Sequence, residues 1–142
     1  MIILLIELNT SPVVLCSLIH SFCVPILLFG SESVIWPQKL LKSIEYAYSL
    51  AFMKIFKTFD ENVVKCCQNA LGYLPLKMLL DVRKLNFLSN LANMREQPMF
   101  EILLIHDQEL LGICAKYFVV FCKEANWKRL LLQHFADSVE SV

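Results

Sequence analysis

Between Glu7 and Glu32 the chain carries no charged side chain, and from Pro12 to Phe29 only Ser17, His20 and Ser21 are clearly polar. A run this apolar has to leave water, into a protein core or into a bilayer. Its length fits a membrane helix, which needs about 20 mostly apolar residues. Its surroundings do not fit. No Lys or Arg occurs before Lys39, so neither a positive-inside anchor nor the basic leader of a signal peptide is available. Pro25 interrupts the run, and His20 with two serines lies within it. The run is therefore expected to be a buried core helix, with a membrane segment as the alternative.

The remaining sequence reads as helix. Of the whole chain's 142 residues, 57% are hydrophobic and 18% charged, which excludes intrinsic disorder. Three Gly and five Pro are too few for the tight turns of an all-β chain. Residues 1–10 are expected to be irregular or an accidental start, and 11–142 a single helical region. Ser11-Pro12 has the form of an N-cap followed by proline in the first turn, opening a helix to about Phe22 or past Pro25, where proline should kink or restart it. Gly30-Ser31 marks a break, and residues 34–37 should be extended because the residue before Pro avoids the α region. A helix over about 38–58 carries Leu40, Leu41, Ile44, Tyr48, Ala51, Phe52, Ile55 and Phe56 on one face. Asp60 should cap a helix over 61–71 that Gly72 ends. Pro75 opens a helix over about 76–94, with Arg83 at the margin of its apolar face. Pro98 opens a short helix to Leu104, and Asp107 caps one over about 108–123. A last helix over about 126–139 holds Trp127, Leu130, Leu131 and His134 on one side. The expected fold is all-α, six or seven helices in an irregular bundle with no substantial sheet.

Formal net charge is zero, but it is unevenly spread. Residues 39–95 carry nine bases against four acids, while both ends are acidic. A basic middle suits a polyanion; equally, lysines solvate the outer faces of ordinary helices. Six Cys show no Cys-x-x-Cys spacing, and the three His follow no zinc-finger pattern. Small reduced hydrophobes are the expected role of these thiols, in a cytoplasmic or nuclear setting. No phosphate-binding glycine loop can be built from Gly30, Gly72 and Gly112, and the only adjacent acidic pair, Asp60-Glu61, fits a helix start. No catalysis, cofactor or metal is expected.

The segment Leu18 to Glu32 resembles the stretch after the palm in non-LTR (LINE-type) retrotransposon reverse transcriptases. That family has an apolar helix, a Pro, then a Leu-Leu-Tyr-Gly-like turn with Glu two residues on; here these are Pro25, Leu27, Leu28, Phe29, Gly30 and Glu32. Tyr48-Ser49-Leu50-Ala51-Phe52-Met53-Lys54-Ile55-Phe56 resembles the family's Tyr-Asn-x-x-hydrophobic-x-Lys/Arg-Ile-Phe stretch, with Ser49 in place of Asn. Cys67-Gln68, Gly72-Tyr73-Leu74-Pro75 and Asp81 to Leu88 are similar to the family's later motifs. The similarity covers about residues 11–125.

This resemblance implies a thumb and post-palm region, truncated, without the palm that holds the catalytic aspartates. It implies at most a module that binds RNA–DNA duplex, or single-stranded nucleic acid, without sequence preference. The palm and upstream segments of a parent polymerase would be its protein partners. Phosphate contacts need cations but no base-edge readers. The candidates are Lys39, Lys42, Lys54, Lys57, Lys65, Lys77, Arg83 and Lys84, each against the alternative of a solvated face or, for Arg83, a structural role. Tyr46, Tyr48 and Phe52 are candidates to stack on bases, although their helical spacing suits a core. The different class of protein that also fits is a small helical membrane-anchored or protein-interaction protein using the apolar N-terminal helix.

Overall fold

The structure, a computed structural model, describes residues 11–93, 110–117 and 126–140. Every regular element among them is helical, as expected. They are α1 (Pro12–Leu18), a π-helical turn (Ile19–Cys23), α2 (Val24–Leu27), a 3-10 turn (Ser31–Ser33), α3 (Gln38–Phe56), α4 (Glu61–Ala70), α5 (Leu76–Asn93) and α6 (Trp127–Glu140). Residues 110–116 are also helical. The expected helix from Pro98 to Leu104, and half of the one over 108–123, lie outside the described residues, as do residues 1–10.

At Pro25 the helix restarts, as expected: regular α-helix gives way to the π turn at Ile19 and resumes at Val24 with Pro25 in its first turn. A proline inside a regular α-helix lacks an N–H and collides with the carbonyl four residues back. Here the turn just before it widens to the π form, and the Val24 N–H reaches back to the Ile19 carbonyl. That extra residue in the turn gives the ring room, and the chain stays helical from Pro12 through Leu27 as a rod of three joined pieces. Gly30 ends the rod in the left-handed region at φ 69°, which only glycine enters without a Cβ penalty. Val34 then runs extended, as the approach to Pro37 requires.

Ser11 takes the N-cap position of α1 with Pro12 behind it but makes no side-chain cap bond, whereas at α4 the sequence signals hold at both ends. Asp60 accepts a hydrogen bond from the Asn62 N–H at 2.9 Å. At the far end of α4 the Gly72 N–H bonds the Asn69 carbonyl and the Tyr73 N–H bonds the Gln68 carbonyl. Those two bonds are the Schellman closure, with Gly72 left-handed at φ 71°. The Arg129 N–H is capped by Asn126 Oδ1 at 3.2 Å.

α5 is the element the others gather round. It packs against the 3-10 turn, α3 and α6, while α1 lies on α3 and α4 lies on both α3 and α6. Because α5 has neighbours on several sides, Leu76, Leu79, Val82, Leu85 and Leu88 are all buried, more of its circumference than one stripe provides. The core also holds Cys16, Phe52, Leu74, Trp127 and Leu131. Two polar tethers cross it: Tyr48 Oη donates to the Leu74 carbonyl at 3.1 Å, and Trp127 Nε1 donates to Ser89 Oγ at 3.4 Å. Two expected core positions are instead exposed. Leu40 lies in the first turn of α3, ahead of where α1 covers it, and Leu130 faces solvent while Phe135 fills the core.

Candidate nucleic-acid interface

The eight candidate cations separate into three groups. On α3, residues advance 100° each, which places Lys39, Lys42, Ser43, Tyr46 and Lys54 within one outward-facing arc. All five are exposed, and the arc contains no acidic residue. From Lys39 to Lys54 the lysines span about 22 Å along the axis at 1.5 Å per residue. Tyr46 stands among them at 67% exposure, whereas Tyr48 and Phe52 are core residues. Tyr48 and Phe52 thus take the core role that their spacing suits, and of the three aromatics Tyr46 is the candidate left for stacking. Lys57 follows directly, exposed, in the left-handed conformation (φ 52°, ψ 41°) that closes α3.

Lys65 and Lys77 meet elsewhere, at a pocket of about 620 Å³ between α3, α4, the start of α5, the 110–117 segment and α6. Lys65 is paired with Glu61 at 3.6 Å, an i,i+4 pair exposed enough to be screened by water. Lys116, which sequence reasoning missed, is the third cation at this pocket. It pairs with Asp81 and sits 4.6 Å over the Tyr117 ring, and Tyr117 Oη donates to the same carboxylate at 2.5 Å. Burial and that donated bond push the Tyr117 hydroxyl well above its usual range, so it stays protonated and keeps donating. Two acids beside three lysines make this a mixed-charge pocket.

The third group, Arg83 and Lys84, faces the fold, which for Arg83 is the structural alternative of the sequence reading. Arg83 is turned to the fold: its Nη1 donates to the Leu28 carbonyl at 2.8 Å and lies 3.7 Å from Glu32. Ser31 Oγ donates to the same carbonyl at 2.8 Å, so the 28–32 turn is tied to α5 from two directions. Lys84 is only 5% exposed, on the side of α5 that the bundle covers, and offers no ammonium to a phosphate. Lys84 is thus buried, whereas Arg83 keeps 36% of its side chain exposed while it holds the 28–32 turn.

Two further facts bear on chemistry. Among the described residues there is no group of three His, Cys, Asp or Glu placed to hold a metal ion. No helix among them is long and apolar enough to cross a membrane. Of the apolar run over residues 12–29, the helical rod takes up Pro12 to Leu27. Compared with protein-family models, with curated proteins and with solved structures, the chain matches none.

Proposed function

We propose that the chain is a non-sequence-specific RNA–DNA duplex-binding module without catalysis of its own, derived from the region C-terminal to the palm of a LINE-type reverse transcriptase. One observation carries the binding half: Lys39, Lys42 and Lys54 on a single acid-free face of α3, with an exposed Tyr46 between them. Cations spread along about 22 Å of helix match a phosphate backbone, whose charges recur every few ångströms. Such contacts position a duplex and read no bases, and Tyr46 adds a ring for an unpaired base or a sugar. Support for the derivation comes from how the resembling segments meet. Glu32 and the Leu28 carbonyl of the first segment receive Arg83 of the last, and Tyr48 of the second bonds Leu74 of the third. Segments far apart in sequence thus form one core.

The test is fluorescence anisotropy of a labelled RNA–DNA duplex titrated with the full chain. Replacing Lys39, Lys42 and Lys54 together by Ala should weaken binding at least tenfold, while Lys65→Ala with Lys77→Ala changes it little. Equal effects from both sets would refute the assignment to α3.

A second reading, a protein-interaction protein, is favoured by Phe22, Ile26 and Phe29, which are 63%, 78% and 87% exposed. The palm and upstream segments of a parent polymerase would cover this stripe. Ser at all three positions should leave duplex affinity intact if α3 is the nucleic-acid face. Loss of duplex binding in that variant would move the interface to the stripe.

A further inference from the structure

On the flank of α3 opposite the mixed-charge pocket lies a second groove of about 480 Å³, between the α1–α2 rod and α3. Ile19, Cys23 and Leu27 form one wall, and Ile44, Ala47 and Ala51 the other. Ala47 and Ala51 are one turn apart, and their small side chains leave a trough between the two helices. Tyr48 contributes its ring and no hydroxyl, because its Oη is engaged by the Leu74 carbonyl. Lys54 is the single charged residue on the lining, which contains no carboxylate. Among the described residues Lys54 makes no ion pair.

We propose that this groove binds a long-chain fatty acid, with the acyl chain along the trough and the carboxylate at Lys54. Charge and shape both select this occupant. The lining offers one cation at one end and hydrocarbon along the rest, which is the inverse image of a mono-anion with an apolar tail. On α3 the lining runs from Ser43 to Lys54, about 16 Å at 1.5 Å per residue. A groove of 480 Å³ over that length has a cross-section of about 30 Å², room for one hydrocarbon chain. The volume lies within the range of small-molecule sites. This site goes beyond the duplex reading and does not rest on it.

The test uses cis-parinaric acid, whose fluorescence rises in an apolar site, titrated into the full chain and then displaced. Palmitate should displace it at least tenfold more effectively than hexadecanol, which has the same chain and no charge. Lys54→Ala should reduce palmitate affinity about tenfold and leave hexadecanol unchanged, and Lys54→Glu should favour hexadecylamine over palmitate. Ala47→Trp, at an exposed position, should block all of these ligands with an unchanged circular dichroism spectrum. No fluorescence rise with a folded chain would overturn the proposal, as would equal displacement by acid and alcohol. If Ala47→Trp instead converts a dimer to a monomer and leaves parinaric acid binding intact, the occupant is a second copy of the chain and the proposal fails.

Discussion

Arg83 gives its charge to a carbonyl and a carboxylate inside the fold, and that is a decision made by contacts 51 to 55 residues away. Its place at the edge of the apolar stripe of α5 is readable from spacing; the partner is not, because a single sequence holds no signal for a contact between Leu28 and Arg83. The same is true of Asp81 with Lys116 and Tyr117. Arg83→Ala should cost about 1–2 kcal/mol, the range for a hydrogen bond to a charged group reduced by partial exposure, and leave duplex affinity per folded molecule unchanged. Urea denaturation and anisotropy measure the two halves of that expectation.

His20 makes a pH prediction at the same scale. Its ring stacks on Tyr73 with centroids 4.5 Å apart, and its Nε2 is buried with no hydrogen-bond partner among the described residues. Burial, with the nearby Lys128 charge, lowers its pKa below 6.5, so the folded state prefers the neutral ring. The unfolded chain then binds the proton more readily. The stability this contributes is complete above about pH 6.5 and is lost as pH falls below that value. The urea midpoint should be lower at pH 5.5 than at pH 7.5, and His20→Phe, which keeps the stacked ring, should remove most of the difference. Cys16 belongs here as well: fully buried, its thiol is pushed up to about 11, so at pH 8 an alkylating agent should modify exposed Cys66 and spare Cys16.

Helix ends are where local sequence dictates local structure, and there the reading succeeds. Asp60 and Gly72 act through hydrogen bonds to residues two to five positions away, so a short window contains the whole cause. The restart at Pro25 is legible in that window, but the π form of the turn ahead of it is not, because both a kink and a widened turn accommodate a proline in a helix. Lys57 is the one non-glycine with positive φ among the described residues. A side chain in that conformation costs about 1–2 kcal/mol, so Lys57→Gly should stabilise the chain by roughly 0.5–1 kcal/mol in urea denaturation. Asp60→Ala should destabilise it by about 1 kcal/mol through loss of the cap.

Over the whole molecule, the charge-free N-terminal run is half core and half surface. Leu15, Cys16, Ile19, Val24 and Leu28 are buried, while Val13, Val14, Phe22, Ile26 and Phe29 face out. Hydrophobicity alone does not separate these two sets; only the direction from which α3 and α5 approach the rod does. The all-α class, the order of the elements and most of the core of α3 are legible from periodicity. The division of the lysines between outer face, pocket and interior is not, since each lysine looks alike until its neighbours are fixed. An exposed stripe of two phenylalanines and an isoleucine favours self-association. Ser at Phe22, Ile26 and Phe29 should reduce concentration-dependent sedimentation without changing the helical signal.

The central claim, that an acid-free lysine face on α3 grips a duplex backbone, is tested most directly by the salt dependence of RNA–DNA duplex affinity. Three phosphate contacts correspond to a slope of about −3 in log affinity against log salt, and each single Lys→Ala change at Lys39, Lys42 or Lys54 should flatten it by about 1. A slope near zero, or a slope that these three substitutions leave unchanged, would contradict it.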